Sequence, residues 1–531
     1  MPSPALKVLI SDPVKPEPLR QFAEAEIEAD LRTDLDAASL REAIGGYDGL
    51  VVRSRTLVTS EVLSRADRLR VIGRAGTGTD NIDVDAASRR GIIVMNTPGE
   101  NSVSTAEHAF SLLLALARNV PAADRSMREG RRESGKFVGV ELHGKTLGIL
   151  GLGRIGREVR SRAAAFGMRV LGHDPYLPAE AAGRFQVELV PLHRLLAEAD
   201  FLTLHTPLTE ETRHIVGDAE LSLMKPGARI VNCARGGLVD ERALLKALDS
   251  GRIAGAALDV LEEEDLSRNP LVKHPRVVLT PHLGASTIEA QDQVTHAIVR
   301  QVISVLKDGV VRNAVNMTAI EPELLPKLAP FLNLAERLGR FLAQIVAGAA
   351  REITITYHGT AVDFPTRPLT TAFLKGFFRT ILSEPVNEVN AFHTARERGV
   401  ALNEVRRVEH QEFSSLVAAS VVTDRERRSC AGTHIGKGEP RIVRVDDLPV
   451  EAAPDGSLLV FGNVDRPGIV GVLGTILGRR GVNIAAMTLG RDKWGGQAIA
   501  ILNLDTPVPQ DVLEEIRAQD GIEWARAVEI R

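Results

Sequence analysis

Three charged side chains follow three successive predicted strands near the middle of the chain. Arg235 lies in Asn-Cys-Ala-Arg-Gly-Gly, Glu264 ends a run of three glutamates, and His282 lies in Pro-His-Leu-Gly-Ala-Ser-Thr. Because the carboxyl ends of parallel strands meet at one edge of a sheet, we expect these side chains to face one crevice. A histidine can accept the proton of an alcohol, a carboxylate can hold that histidine in one tautomer, and an arginine can bind a substrate carboxylate. Each residue alone is typical of a protein surface, but the set predicts the oxidation of a hydroxyl group by hydride transfer.

A glycine-rich turn upstream of these residues predicts the cofactor. A strand at 146–150 leads through Gly151, Gly153 and Gly156 into a helix, and a second strand ends at Asp174. Gly151 permits a tight turn, Gly153 lets the backbone approach a pyrophosphate, and Gly156 lets the helix pack close to the strand. Asp174 lies 18 residues after Gly156. A carboxylate there accepts the ribose hydroxyls and repels a 2′-phosphate, so the unit predicts NAD rather than NADP.

Two arginines at neighbouring strand ends indicate the charge of the substrate. Arg53 and Arg74 each end a predicted strand, and a small turn, Gly76-Thr77-Gly78, follows the second. Guanidinium groups beside exposed backbone N–H groups suit an anionic substrate. The alternative is that both arginines are solvated at the surface, where arginine is usually found.

The elements that position these residues alternate between strands and helices, which predicts parallel sheets with covered faces. The predicted strands are Lys7–Ser11, one near Ile27, Gly49–Arg53, Leu69–Gly73, Phe201–His205, Arg229–Asn232, Ala254–Leu258 and Val277–Thr280. The predicted helices are Pro16–Ala25, Thr105–Arg118, Asp240–Leu248 and Ile288–Lys307. The last helix would return the chain to the first sheet, so the first domain is expected to be discontinuous. The segment Arg125–Gly139 is basic and polar and is expected to be an exposed connection.

The character of the sequence changes after about Thr318. Leu324–Ala350 is predicted helical, Ile353–His358 and Phe413–Val422 resemble strands, and Pro365–Phe377 is mixed. Glu451–Gly456 is interpreted as a linker, and the remainder predicts a small βαββαβ unit. No catalytic signature occurs in this part of the chain.

Composition excludes several other classes of protein. A chain of 531 residues with 44% hydrophobic and 25% charged residues predicts about three or four globular domains. The net charge of −4 argues against non-specific binding to nucleic acid. Two cysteines provide no disulfide framework and suit the reducing cytoplasm, and no run is apolar and long enough to span a membrane. The N-terminus lacks a signal-peptide pattern, and no metal site is expected.

Several of these stretches together resemble the D-2-hydroxyacid dehydrogenase family, from the N-terminus to about Val315. They are Val-Val-Arg53-Ser, Gly-Arg74-Ala-Gly-Thr77-Gly, Asn96-Thr-Pro, Gly151-Leu-Gly-Arg-Ile-Gly156, Asn232-Cys-Ala-Arg235-Gly-Gly, Ala-Leu-Asp259-Val and Pro281-His282-Leu-Gly-Ala-Ser-Thr. The resemblance implies NAD-dependent oxidation of 3-phospho-D-glycerate to 3-phosphohydroxypyruvate, the first step of L-serine biosynthesis.

The resemblance also implies an α/β fold. In it, a doubly wound parallel-sheet nucleotide domain is inserted in a flavodoxin-like substrate domain, and an α+β intervening domain and a βαββαβ ACT domain follow. The expected boundaries are 1–98 with 287–316 for the substrate domain, 99–286 for the NAD domain, 317–452 for the intervening domain and 453–531 for the ACT domain.

Site residues carried over from the family fall into three groups. His282 would be the acid/base, Glu264 its partner and Arg235 the substrate anchor. Substrate contacts would come from Arg53, Arg74, Asn101 and Ser102. NAD contacts would come from Thr77, Gly151, Gly153, Arg154, Ile155, Gly156, Asp174, Thr206, Pro207, Cys233, Ala234, Arg235, Asp259, His282, Gly284 and Ala285. The family usually has proline where this chain has Asp265, so Glu263 remains an alternative to Glu264.

The C-terminal unit resembles ACT domains, which sense small ligands and pair across subunits. This resemblance implies serine as a feedback effector at Asn463, Asp465 and Asn483, and an assembly of at least a dimer, with a tetramer expected for the long form. The alternative is that the unit serves only for assembly. In the intervening domain, Lys437, Arg441 and Arg444 are candidates for binding anions.

Two other functions remain open at this stage. One is a dehydrogenase for a different 2-hydroxy acid, such as glycerate or glyoxylate, for which the positive charge of Arg53 and Arg74 would be less necessary. The other is a nucleotide-sensing protein that keeps the fold without turnover. Arg235, Glu264 and His282 together favour the enzyme.

Overall fold

Short buried strands joined by helices build the first sheet, as the alternating pattern predicts. The computed structural model describes residues 5–178, 183, 185–263, 265–318, 320, 323–408, 413–436 and 438–530. The first strands are β1 Lys7–Ile10, β2 Glu28–Leu31, β3 Gly49–Val52, β4 Val71–Arg74 and β5 Ile93–Met95. They are all parallel and follow the order β2-β1-β3-β4-β5. Helices α1 Pro16–Glu24, α2 Ala37–Ala43, α3 Ser60–Leu63 and α4 Val84–Arg89 lie between them.

A second, larger parallel sheet follows along the chain. Its strands are β6 Thr146–Leu150, β7 Arg169–His173, β8 Glu188–Leu189, β9 Phe201–Leu204, β10 Ala228–Asn232, β11 Ile253–Leu258 and β12 Val277–Leu279. The described helices around it are α5 Ser102–Ala117, α6 Val120–Arg128, α7 Arg154–Ala165, α8 Leu192–Glu198, α9 Asp218–Leu223 and α10 Glu241–Asp249. The order β12-β11-β10-β9-β6-β7-β8 is doubly wound, and the winding direction changes between β6 and β9. A ligand crevice is expected beyond the strand ends at that change.

The long helix α11, Ile288–Asp308, packs back against the first sheet. Gly73 in β4 makes this close approach possible, because a Cβ there would lie 2.7 Å from the Ile298 side chain and 2.8 Å from that of Val302. The chain therefore leaves the first sheet, builds the second, and returns, as the sequence predicts.

The third unit contains a six-stranded sheet covered by two long helices. Its strands are β13 Ala350–Gly359, β14 Ala401–Arg407, β15 Ser415–Thr423, β16 Arg427–Ile435, β17 Glu439–Val445 and β18 Leu448–Ala452. Its helices are α12 Leu325–Ile345, α13 Thr366–Ile381 and α14 Ala391–Glu397. The order is β14-β13-β15-β16-β17-β18, antiparallel except between β13 and β14.

The last unit has the predicted βαββαβ order. Its elements are β19 Gly456–Val464, α15 Ile469–Arg479, β20 Ile484–Arg491, β21 Gln497–Leu504, α16 Gln510–Arg517 and β22 Ile522–Ile530. The four strands are antiparallel in the order β20-β21-β19-β22. Short 3₁₀ turns elsewhere in the described chain are Ile44–Gly46, Ser134–Phe137, Pro270–Lys273 and Thr360–Asp363. The α/β fold class with these four sheets is confirmed, whereas the domain boundaries stay predictions.

Four sequence expectations about elements are wrong in detail. Part of the connection expected at 125–139 is helical, because Pro121 opens α6 at a position that suits proline instead of only ending the helix before it. The helix expected over 324–350 ends at Ile345, and Ala350 already starts β13. The mixed segment at 365–377 is one helix, α13. The expected linker at 451–456 begins inside β18, which pairs with β17.

Among the described residues, no helix is both long enough and apolar enough to cross a bilayer.

Two glycines let α12 and α13 cross at close range. A Cβ on Gly339 would lie 2.9 Å from the Phe377 nitrogen, and one on Gly376 would lie 2.9 Å from the Glu336 carbonyl carbon. We therefore expect Gly376→Ala to lower the free energy of unfolding by about 1–3 kcal/mol, because the helices must separate. Urea unfolding followed by circular dichroism measures the change. The exposed Arg379→Ala, in the same helix, should stay within about 0.5 kcal/mol; equal effects of both variants would contradict the close crossing.

Candidate active site

The three glycines of the nucleotide turn occupy three different environments. Gly151 has φ +93°, and a Cβ there would lie 2.7 Å from the His205 carbonyl oxygen. A Cβ on Gly156 would overlap the Gly151 carbonyl oxygen, so this glycine sets the packing of α7 on β6. A Cβ on Gly153 would meet no atom within 4 Å. The turn therefore leaves open space at the position where the sequence predicts a pyrophosphate.

Asp174 lies directly beside this turn. Its Oδ2 accepts a hydrogen bond from the Leu152 N–H at 2.9 Å, and its Oδ1 accepts one from the Tyr176 N–H at 3.0 Å. Each carboxylate oxygen keeps acceptor capacity, which fits a pair of ribose hydroxyls. The buried Thr206 Oγ1 has no hydrogen-bond partner among the described residues, and it lies next to Gly151. An unpaired buried hydroxyl beside a turn with open space fits a bound dinucleotide.

A buried carboxylate, Asp259, organises the loop that carries His282. Its oxygens accept hydrogen bonds from Thr280 Oγ1 at 2.5 Å and from the N–H groups of Leu283 at 2.7 Å and Gly284 at 2.9 Å. His108 Nε2 lies 3.1 Å from the same carboxylate. Burial by itself raises the pKa of Asp259, but these hydrogen bonds outweigh burial and lower the pKa below its usual value. The carboxylate is therefore ionised and fully engaged.

His282 adopts a backbone conformation that is unusual for its residue type. Its φ is +55°, and its N–H lies 3.0 Å from the carbonyl oxygens of both Asp259 and Thr280. A non-glycine residue in the left-handed region is uncommon and persists where its surroundings determine it. The side chain of His282 is exposed, so its imidazole is accessible to solvent.

Arg235 reaches from the second sheet toward the first. Its Nε lies 3.2 Å from Oδ2 of Asp80, which follows the glycine turn after β4. Asn232 shapes the loop locally: its Nδ2 donates to the Arg235 carbonyl at 2.8 Å, and its Oδ1 accepts from the Ala234 N–H at 3.0 Å. The predicted substrate anchor is thus held from both sides of the crevice.

Three guanidinium groups crowd the first sheet's side of the crevice. The pKa of Arg74 is lowered to about 10, first by burial and then by the positive charges of Arg235 and Arg53, against the opposing effect of Asp80. The Nε of Arg74 is buried and has no partner among the described residues. Arg53 is held at its backbone N–H by the buried Asp12 Oδ2 at 2.5 Å. A cluster of mutually repelling cations is suited to a ligand that carries more than one negative charge.

Other predicted residues connect the two sheets. Thr77 Oγ1 donates to Asn101 Oδ1 at 3.0 Å, Arg154 Nη1 donates to the Pro98 carbonyl, and the buried Ser102 opens α5. Asn101 and Arg154, on the side of the second sheet, therefore contact Thr77 and Pro98 on the side of the first.

Two residues beside the nucleotide turn are electrically neutral. Burial, followed by the negative charge of Asp259, raises the pKa of the Cys233 thiol. Burial also lowers the pKa of His205 to about 4. Potential metal-binding atoms of His108, Cys233 and Asp259 lie within 4.8 Å of one another. Because the carboxylate is fully hydrogen-bonded and the thiol protonated, hydrogen bonding accounts for this cluster.

The three consecutive glutamates do not share one role. Glu262 pairs with Arg213 and His214, each at 2.8 Å. Glu263 accepts a hydrogen bond from the Asp265 N–H at 3.1 Å. Glu264 lies outside the described residues, so its choice over Glu263 as the partner of His282 stays a prediction.

Sequence reasoning missed four residues that organise the site. Asp12 and Asp80 follow β1 and β4, and their position after strand ends could have marked them. Asn232 ends β10 in the same way. His108 lies inside α5, and its helical position contains no signal of its contact with Asp259.

The candidate effector residues do not converge within one chain. Asn463 pairs in register with Ala498 near the end of β19, whereas Asn483 precedes Ile484, which pairs with Leu504 at the other end of β21. At about 3.4 Å per residue, the two asparagines are separated by roughly 20 Å along the strands.

Asn463 and Asp465 differ in how fully their side chains are hydrogen-bonded. Asn463 is 1% exposed, and its Oδ1 has no partner among the described residues. Asp465 accepts from Arg491 at 2.7 Å, which lowers its pKa.

The candidate anion site of the third unit is only partly described. Lys437 lies outside the described residues. Arg441 pairs with Glu439 at 2.6 Å, and Arg444 lines a cavity of about 300 Å³ with Arg407 and Arg427.

Three family models match this chain. Residues 110–284 match the NAD-binding domain of D-isomer-specific 2-hydroxyacid dehydrogenases, residues 327–446 the intervening domain of D-3-phosphoglycerate dehydrogenase, and residues 457–521 the ACT domain.

Similar proteins cover nearly the whole chain. The chain is 43% identical to D-3-phosphoglycerate dehydrogenase of Archaeoglobus fulgidus over 99% of this chain and 100% of that protein. It is 44% identical to the enzyme of the same name from Methanocaldococcus jannaschii over 96% and 97%. Among solved structures, it resembles D-lactate dehydrogenase from Aquifex aeolicus complexed with NAD and lactic acid, with TM-score 0.52, 28% identity, and coverage of 58% of this chain and 98% of that one.

The contrast between Gly153 and Gly156 gives a test of the nucleotide turn. We expect Gly153→Ala to weaken NADH binding at least about tenfold, because its Cβ would occupy the open space. Its free energy of unfolding should stay within about 0.5 kcal/mol of the original value. Gly156→Ala should instead lower the free energy of unfolding by about 1–3 kcal/mol. NADH fluorescence titration and urea unfolding measure both quantities; unchanged NADH affinity in Gly153→Ala would contradict this site.

Proposed function

The chain belongs to the D-3-phosphoglycerate dehydrogenase family, and from that premise we propose how it oxidises 3-phospho-D-glycerate to 3-phosphohydroxypyruvate, the entry step of L-serine biosynthesis. The observation that carries the proposal is the crowded cluster of Arg53, Arg74 and Arg235, with the buried Arg74 Nε unpaired among the described residues. The substrate has a phosphate at one end and a carboxylate at the other. Both charges would relieve the repulsion among these guanidinium groups.

The cofactor would bind along the turn after β6. The open space at Gly153, the engaged but unsaturated carboxylate of Asp174 and the unpaired Thr206 hydroxyl fit NAD. When bound, NAD supplies the acceptor for the hydride. The remaining residues proposed for this site are Thr77, Gly151, Arg154, Ile155, Gly156, Pro207, Cys233, Ala234, Arg235, Asp259, His282, Gly284 and Ala285.

The chain's own groups then handle charge and proton. His282 would accept the proton of the substrate's 2-hydroxyl, and Glu264 would stabilise the protonated imidazole. Arg235 would hold the substrate carboxylate. Arg53 and Arg74, with the hydrogen-bonding groups of Asn101 and Ser102, would hold the phosphate. Asp259 keeps the His282 loop in place through its hydrogen bonds.

The effector site is proposed to form between two copies of the chain. Asn463 and Asp465 lie at one end of the last sheet and Asn483 near the other, so a molecule as small as serine cannot contact all three within one chain. Paired C-terminal units would bring residues of different subunits together. We therefore propose feedback by L-serine in a homo-oligomer, at least a dimer and a tetramer in the long form. The two buried free thiols, Cys233 and Cys430, support a reducing, cytoplasmic location.

The catalytic assignment is tested by turnover. NADH formation from 3-phosphoglycerate should occur with the unmodified protein, and His282→Ala should lower kcat at least about 100-fold because the proton acceptor is lost. The loss of NADH affinity should be much smaller than the loss of kcat. His193→Ala, at an exposed histidine on α8, is the matched control and should keep full activity. Turnover of glycerate or lactate in preference to 3-phosphoglycerate would contradict the substrate assignment.

The regulatory assignment has a separate test. Adding L-serine should lower the rate of NADH formation, and Asn483→Ala should keep its turnover while losing that inhibition, because one side of the effector site is gone. D-serine is the control ligand and should inhibit much less. If turnover is indifferent to L-serine, the C-terminal unit is an assembly element or senses another ligand.

A further inference from the structure

We propose that Glu262 is a positioning residue. It holds the turn after Arg235, which contains Gly236 and Gly237, in place against the segment 261–269, here called the acidic segment. The proposal rests on the function proposed above, because it explains how two groups of that site keep their relative place. Glu262 itself contacts neither substrate nor cofactor in this scheme. It acts through its neighbours.

The Glu262 carboxylate joins two residues of a different loop. Oε1 accepts a hydrogen bond from Arg213 Nη1 at 2.8 Å, and Oε2 lies 2.8 Å from His214 Nε2. The Glu262 N–H donates to Glu241 Oε1 at 2.5 Å. One residue thus ties its own segment to α10 and to the loop before α9.

That second loop is bonded directly to the turn after Arg235. The His214 N–H donates to the Gly237 carbonyl oxygen at 2.7 Å. A Cβ on Gly237 would lie 3.4 Å from Arg213 Nη1 and 3.5 Å from Glu262 Oε1. A Cβ on Gly236 would overlap the Leu261 carbonyl oxygen. The backbone of the turn after Arg235 therefore contacts the backbone of the acidic segment. Glu262 supports this contact through its bonds to Arg213 and His214.

The contacts of Glu262 and Gly237 hold His214 in an uncommon backbone conformation. Its φ is +54°, in the left-handed region that a histidine seldom adopts. Such a conformation is unfavourable and persists only where contacts impose it. Here the side-chain bond to Glu262 and the backbone bond to Gly237 hold both ends of the residue.

The far end of the acidic segment is tied to the same helix. Glu241 Oε2 accepts from Asn269 Nδ2 at 2.6 Å, while its Oε1 accepts from the Glu262 N–H. Asn269 is 4% exposed and accepts from the Leu271 N–H at 3.0 Å. A single carboxylate on α10 therefore fixes both ends of the segment 262–269.

Part of the segment 262–269 borders open space. A cavity of about 540 Å³ lies against the segment, and its lining includes His214, Asp240, Glu241, Glu262 and Glu263. On this side, the hydrogen bonds and ion pairs of Glu262 and Glu241 hold the segment in position.

Loss of Glu262 should therefore affect substrate alignment more than folding or cofactor binding. Its side chain is 35% exposed, and ion pairs at that exposure add little to global stability. The nucleotide turn follows β6, at the other side of β9 and β10 in the sheet. Small displacements of aligned groups, in contrast, can lower a rate by about 100-fold.

The test compares Glu262→Ala, Glu262→Gln and the control Glu210→Ala in the full-length protein. Glu210 is exposed and lies in the loop that carries Arg213. We expect Glu262→Ala to lower kcat/KM for 3-phosphoglycerate on the order of 100-fold, with a much smaller loss of NADH affinity, because most of the proposed NAD contacts lie outside the two segments that lose support. Glu262→Gln keeps a hydrogen-bonding amide and should recover most of the loss.

Hydrogen–deuterium exchange of the NAD-free protein gives a second readout that does not depend on activity. Exchange should rise in peptides covering 232–238 and 259–271 of Glu262→Ala, and should not rise in Glu210→Ala. Unchanged exchange and kcat/KM in Glu262→Ala would overturn the proposal. A parallel loss of NADH affinity and of the urea midpoint would also overturn it, since it would show a general loss of structure. If the exchange pattern appears but the unmodified protein does not turn over 3-phosphoglycerate, the role of Glu262 is supported and the proposed substrate is wrong.

Discussion

The burial of one ionised carboxylate is the constraint on which the active-site edge depends. Asp259 directly follows β11 with its side chain fully buried, so its charge must be compensated by hydrogen bonds. The donors come from the Thr280 hydroxyl and from the backbone of the loop that follows β12, together with His108 on α5. Satisfying the carboxylate therefore holds His282 in its left-handed conformation. The exposed loop after β12 is therefore held in position by hydrogen bonds to a buried carboxylate.

Charged and polar groups connect the two parallel sheets at their strand ends. Arg235 reaches Asp80, and Arg154 reaches the Pro98 carbonyl, so contacts that cross the crevice are polar and exchangeable. Burial of Arg74, followed by the positive charges of Arg235 and Arg53, lowers the pKa of Arg74 to about 10. An anionic ligand at this cluster would reduce the repulsion among its guanidinium groups.

Hydrogen bonds join the C-terminal half to the rest of the chain. The Glu451 N–H donates to Thr488 Oγ1 at 3.1 Å, and Gln344 Nε2 donates to the Glu529 carbonyl at 3.0 Å. On its other side, the third unit reaches the first sheet, where Asn387 Nδ2 donates to the Gly91 carbonyl at 2.8 Å. Hydrogen bonds thus link the ACT unit, the intervening unit and the substrate-binding sheet in a continuous series.

Sequence by itself determined the features that depend on residues close together in the chain: the glycine turn with Asp174, the strand ends that carry Arg235 and His282, and the α/β fold. Turn geometry and strand alternation are local, so short stretches encode them. Helix limits such as Ile345 were less accurate, since prolines and flanking strands compete with helical propensity. Only the tertiary structure decided that Asp80 pairs with Arg235 and that His108 meets Asp259. These partners are more than a hundred residues apart, and packing of separate elements, which no local pattern records, brings them together.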